Sequence, residues 1–310
     1  MPLPLSYPGL RCVLEHLEAV KRAHIIGRAP SLQKIDKLVP FCLGNLNIGL
    51  NFSNKKLIIN KLSIECDQNN IQFKLDGKRF SRKISKSQED KINKVVHFYF
   101  CNRSITNVDK LYLGPSASRD VRGLNLKLRT NSLNALVREK YETAFPFIDP
   151  RSYPLKTVTT MPDTAIFDNL NVTSAETLHL HLFSGLAVRL DNLKKLNNQT
   201  VLFGYCSSSS VEIIPFIEYY IETKKDIKTT FVISLIARGF LFEKLLEFKQ
   251  AFGEYISDLD DVKERVVPGL PKFSIPINGD SKIHVYAIEV PDVNGRWKIV
   301  IKPVSAVLEI

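Results

Sequence analysis

Residues 178–183 read LHLHLF, and this alternation decides the fold class of the second half of the chain. Leu178, Leu180 and Leu182 fall on one face of a strand, so His179 and His181 fall on the other, with Phe183 following them. Similar segments flank it: LKTVTT from Leu155, VLFGYC from Val201 and FVISLI from Phe231, with starts separated by 23, 23 and 30 residues. The connections carry helical patterns. One is short, Asp191–Leu196; a second, 212–224, sets Ile214, Ile217 and Ile221 on one face; a third carries Leu241, Leu245, Phe248 and Phe252. Strand followed by helix in series predicts a parallel sheet with right-handed crossovers. A hairpin closes the series, IHVYAIEV (283–290) and RWKIVI (296–301) turned at Asn294-Gly295, and caps the last repeat.

Upstream, residues 41–149 read as a mixed α/β region. LNIGLN (46–51) and KLIINKLSIEC (56–66) predict strands linked through Ser53-Asn54, and KLYLG (110–114) and LNLKL (124–128) predict two more. Asp76-Gly77 predicts a hairpin turn that pairs Phe73 with Phe80 as core residues. Ser87 with Asp90 three residues on predicts a helix start, and Ile92, Val95, Val96 and Tyr99 give that helix its apolar stripe. The aromatic run HFYFC, 97–101, reads as a helix end packed under a sheet.

Residues 1–40 read as a Pro-punctuated helical module. Leu10, Val13, Leu14 and Leu17 recur at i, i+3, i+4 and i+7 on one helical face, with Ser6 as a cap. Pro30 breaks the chain, and Ser31 caps a last short helix ending before Pro40. The fold class is therefore α/β, α+β over the whole chain, in three parts: helices in 1–40, a basic mixed region in 41–149, and strand–helix repeats in 150–310.

The Leu3-Pro4 pair, the Val13-Leu14 pair with Leu17, and the basic second helix around Arg22 and Arg28 resemble an F-box. The likeness is closer to the nematode F-box-C type proteins, and the later part of the chain is similar to their F-box-associated domains. Ala175, Leu178, Leu180 and Leu182 also resemble the spacing of degenerate leucine-rich repeats. The resemblance implies a non-catalytic substrate-recognition adaptor of an SCF-type ubiquitin ligase. Leu10, Val13, Leu14 and Leu17 would then hold the Skp adaptor, and through it the cullin complex. A protein target of unknown identity would meet the repeat sheet, with His179, His181, Phe203 and Tyr205 as candidate contacts.

Charge is unevenly distributed. Residues 1–150 hold 25 Lys+Arg against 13 Asp+Glu, whereas 151–310 hold 18 against 19, so the excess lies in the first half. Its densest part is 74–94, KLDGKRFSRKISKSQEDKINK, with Lys78, Arg79, Arg82, Lys83 and Lys86 at its centre. That patch reads as a solvated hairpin and helix face; alternatives are a nucleic-acid-binding module, a nuclear-import signal, or a docking face for an acidic partner. A further alternative is a protein-interaction domain with no ubiquitin role.

Other chemistry is weakly signalled. Cys12, Cys42, Cys66, Cys101 and Cys206 are odd in number and scattered, which argues against a disulfide framework or zinc site and for a reducing compartment. No metal or cofactor is expected: His179 and His181 lack a third ligand at ligand spacing, and neither GxxxxGK[ST] nor GxGxxG occurs. The SSSS of 207–210 lacks a nucleophile-elbow context, and DLDDVKE (258–264) lacks the glycine a calcium loop needs. Pro2, Pro4, Pro8, Arg11 and Glu15 interrupt the start, so no leader is expected, and no apolar run spans a membrane. These features predict a cytoplasmic or nuclear protein without enzymatic activity.

Overall fold

The computed structural model describes residues 7–49, 55–114, 126–136, 146–183, 186–259, 262–290 and 297–305. The fold is mixed α/β, and the chain divides into two compact units, Met1–Leu155 and Lys156–Ile310.

In the first unit, helices α1 (Tyr7–His16), α2 (Ala19–Arg28) and α3 (Gln33–Leu38) precede a mixed sheet. Its strands are β1 (Phe41–Ile48), β2 (Lys55–Ile59), β3 (Leu62–Cys66), β4 (Asn70–Leu75), β5 (Lys78–Lys83), β6 (Thr106–Leu113) and β7 (Leu128–Ala135). They lie in the order β7-β6-β1-β2-β3-β4-β5. The β1, β6 and β7 strands run parallel, and β1 through β5 form an antiparallel meander. Helix α4 (Gln88–Phe100) packs on β2 and β3 through Ile92, Val96 and Tyr99. Ser87 caps it as expected, accepting from the Asp90 amide at 3.0 Å while its hydroxyl donates to the Asp90 carboxylate at 2.8 Å.

Several local expectations change. KLIINKLSIEC is two strands, because Asn60 turns the chain in the left-handed region (φ 51°) and its side-chain oxygen accepts from the amides of Gly44 and Asn45. Strand β7 begins at Leu128, where the sequence-read strand ends. The Asp76-Gly77 hairpin is present, with Phe73 opposite Phe80, yet Phe80 is 65% exposed, so this pair is not core. Every residue of β5 is exposed. Pro30–Leu32 forms a single 3₁₀ turn leading into α3, whose N-terminus has no side-chain cap, so Ser31 does not serve there. Ser6, the Leu3-Pro4 pair and the turns at Ser53-Asn54 and Asn294-Gly295 lie outside the described residues.

In the second unit, β8 (Thr157–Thr160), β9 (Thr177–His181), β10 (Thr200–Cys206) and β11 (Thr230–Leu235) run parallel, as the repeat predicts. Then β14 (Trp297–Ser305), β13 (Ser281–Glu289) and β12 (Phe273–Pro276) continue antiparallel from β11. Strand β12 carries no signal that the sequence reading had used. The connections hold α5 (Leu170–Thr173), α6 (Leu190–Leu193), α7 (Ile213–Thr223) and α8 (Arg238–Phe252).

The core lies between the sheet and these helices. Leu178, Leu180, Val201, Phe203, Phe231 and Ile233 are all buried. Phe203 stacks on Phe231 at 6.2 Å, and Phe216 of α7 meets Phe231 edge-on at 5.1 Å. The predicted α8 stripe, Leu241, Leu245, Phe248 and Phe252, is buried throughout. On α7 the buried face is Ile213, Phe216 and Ile217, so Ile214 and Ile221 sit at its margin. Successive turns are tied by polar side chains: Asn198 donates to the carbonyls of Val172 and Ala175, and Thr229 donates to that of Asn198.

Candidate interaction surfaces

The alternation on β9 places Leu178, Leu180 and Leu182 against the helices and leaves His179 and His181 half-buried on the opposite face. Register carries that face across the sheet as Thr159, His179, Leu202, Val232, Val300 and Tyr286. At the β13–β14 side, Leu259, Val262 and Val266 pack over Tyr286 and Val300. Toward β9 and β10 the face carries an aromatic group instead. His181 lies 5.5 Å from Phe183 and 5.3 Å from Tyr205, and Phe183 lies 4.2 Å from Tyr205, centroid to centroid.

A bulge builds this group. Phe203 pairs with Ile233 but Cys206 pairs with Leu235, so β10 holds one residue more than β11 over that interval. Tyr205 takes the extra position with φ 61°, which lets it join Gly204 on the outward side before Cys206 turns back into the core. Gly204 stands opposite His181, and a Cβ there would lie 3.7 Å from the imidazole. Phe203, one of the candidate contacts, is fully buried and belongs to the core. The sequence could not separate the two, since both faces of VLFGYC are largely apolar.

Burial holds the His179 imidazole below its ordinary pKa, helped by the nearby Lys298 ammonium. Burial does the same to His181, with the His179 charge adding to it. Nδ1 of His181 is buried and has no hydrogen-bond partner among the described residues. Both rings are thus neutral near pH 7 and offer flat, weakly polar surface beside Phe183 and Tyr205. Among the described residues no group of three or more His, Cys, Asp or Glu side chains is arranged to hold a metal ion.

In the N-terminal helices the four stripe residues separate. Leu14 is 2% exposed in a cluster with Ile26 and Val39, and Leu10 packs partly against it. Val13 is 45% exposed, and Leu17 lies past the end of α1. The helices are anchored by ions as well as by Leu14. Arg22 Nε donates to Asp36 at 2.5 Å and Arg103 Nη2 donates to it at 2.7 Å, all three side chains being 3% exposed or less. The Arg22 guanidinium also donates to the carbonyls of Leu14, Asp36, Val39 and Pro40. Phe41 lies beneath both guanidiniums, at 5.5 and 4.2 Å from its ring centroid. Arg22, prominent in the sequence as part of a basic helix, is therefore a buried structural cation.

The basic cluster is solvated. Lys78, Arg79, Arg82, Lys83 and Lys86 are exposed, and the Lys86 ammonium is close enough to Lys94 to lower the latter's pKa. All five cysteines are free thiols; Cys12 and Cys42 are exposed, and burial pushes Cys206 up to about 12. No described helix is long and apolar enough to cross a membrane.

Residues 87–237, from the Ser87 cap to Ala237 just past β11, are similar to a family described as a domain of unknown function (DUF3557). No curated protein and no solved structure matches the chain.

Proposed function

We propose that the protein is a non-catalytic substrate-recognition adaptor of an SCF-type ubiquitin ligase. Its N-terminal helices engage Skp, and the outward face of the second unit's sheet engages a protein target. The observation that carries the reading is the asymmetry of that sheet: one face is closed by helices, and the other displays His181, Phe183 and Tyr205 in mutual contact. Such a surface supplies rigid, amphipathic contact area at low entropic cost, a pattern that suits protein recognition. The adaptor contributes proximity between target and ubiquitin carrier and needs no reacting group of its own.

Pull-down with Skp paralogues tests the N-terminal half of the reading. Val13→Asp places a charge on an exposed position, so association should fall while the fold persists; Leu14→Asp would instead unfold its own cluster and decides nothing. Absence of association between the intact protein and every Skp paralogue sinks the adaptor reading.

One observation favours a second reading, nucleic-acid binding. Phe80 is 65% exposed on a strand that carries Lys78, Arg79, Arg82 and Lys83, and an exposed ring among cations can stack on a base. Affinity for single-stranded RNA that falls steeply with salt would establish it.

A further inference from the structure

Between α2, the end of α4 and the β4–β5 hairpin, the first unit has an open groove of about 1010 Å3. Ile25, Phe80 and Phe98 line it and are 42%, 65% and 41% exposed. Large apolar side chains converging on one depression in water mark a surface awaiting cover. Its charge is one-sided. Lys21 and Arg28 stand on the α2 wall, Lys78, Arg79 and Arg82 on the hairpin wall, and no carboxylate is among the described residues that line the groove. None of these lysines or arginines forms a direct ion pair among the described residues, and Lys21 alone of them has a carboxylate, Glu18, near enough to feel its charge. Like charges on both walls of a cleft with an apolar floor focus a positive potential into it.

The two features together select the occupant. A polyanion with no apolar face would satisfy the cationic walls and leave the floor wet. An uncharged apolar helix would cover the floor and leave the walls without counter-charge. A helix with an apolar stripe flanked by carboxylates satisfies both at once. We propose that this groove docks an acidic amphipathic helix of a partner protein. Its apolar stripe lies on Ile25, Phe80 and Phe98, and its carboxylates face Lys21 and Arg28 on one side and Lys78, Arg79 and Arg82 on the other. Val13 does not line the groove, so this site stands or falls apart from the adaptor reading.

Gly27 provides a blocking position. A Cβ built there meets only the Phe98 ring, at 3.8 Å, an ordinary contact, so a longer side chain fits the helix and projects into the groove. The experiment pans a random peptide library displayed on phage against the full chain. Recovered peptides are then measured by fluorescence anisotropy beside a single-stranded RNA of mixed sequence. The proteins compared are the native chain, Gly27→Gln, and the triple variant Lys78→Glu, Arg79→Glu, Arg82→Glu. Enriched peptides should carry apolar residues at i, i+3 or i+4, and i+7 between Asp and Glu. Their affinity should fall roughly tenfold or more in each variant, with the thermal melt of Gly27→Gln unchanged or higher. Recovery of no acidic amphipathic peptides, or affinities indifferent to both variants, would overturn the proposal. RNA binding tighter than any peptide, and lost in the same variants, would assign the groove to nucleic acid and overturn it equally.

Discussion

Asp36→Ala removes a carboxylate shared by two buried guanidiniums. Arg22 and Arg103 are 2% and 3% exposed at the side chain, and Asp36 accepts from them at 2.5 and 2.7 Å. Burial already lowers the Arg103 pKa, with Asp36 opposing that shift. An arginine does not discharge in a protein, so loss of the carboxylate leaves two buried cations side by side. Breaking a buried pair this way costs about 3–5 kcal/mol. Arg22 keeps its carbonyl acceptors, which holds the cost within that range rather than above it. At about 2–4 °C per kcal/mol for a unit of this size, the first unit should melt roughly 6–20 °C lower. Differential scanning calorimetry of native and Asp36→Ala protein measures this directly. A loss below about 1 kcal/mol for Asp36→Ala would refute the reasoning, because it would place the triad in water.

Phe203→Ala should cost about 3–5 kcal/mol, as for a core aromatic, whereas Tyr205→Ala on the outward face should stay below about 1 kcal/mol; chemical denaturation ranks the two, and a reversed order would move the sheet faces. His179 and His181 both have folded pKa values below the ordinary His value of about 6.5, so the unfolded chain binds protons first and their contribution, complete above that pH, is lost as pH falls through the folded values. Thermal melts from neutral to mildly acidic pH should therefore drop less steeply in His179→Gln/His181→Gln than in the native protein; equal slopes would place these rings in solvent. Cys12 and Cys42 should react rapidly with a thiol reagent while Cys66, Cys101 and Cys206 wait for unfolding, and fast labelling of Cys206 would contradict its burial. Replacing Lys78, Arg79, Arg82, Lys83 and Lys86 by Gln should change stability by less than about 0.5 kcal/mol for a solvated face, and a large drop in melting temperature would show that the cluster pairs internally.

Where an element rests on near neighbours, its residues announce it. The Leu and His of 178–181 alternate because a pleated strand does, and one closed face is enough to sort them. Ser87 and Asp90 meet across a single helical turn, Asp76-Gly77 supplies the positive φ that a two-residue hairpin needs, and the α8 stripe repeats with the helical period. What these residues require is complete within a few positions, so sequence alone determined the parallel repeat strands, the α8 stripe, the α4 cap and the basic hairpin.

Distant partners decided the rest. Arg22 and Asp36 are 14 residues apart, and Arg103 is 67 from Asp36, so nothing in a run of basic residues marks one of them as buried. Leu14 and Val13 are neighbours of the same character; only the arrival of Ile26 and Val39 makes one core and leaves the other in water. Phe80 is as apolar as a core residue, but none of the described residues covers β5 on its hairpin. Tyr205 reaches the outward face through one extra residue in β10, a register shift that exists only once β11 lies beside it. Period and turn chemistry are local and travel with the chain, whereas burial and charge pairing are properties of what the fold brings alongside, and tertiary structure alone assigned them.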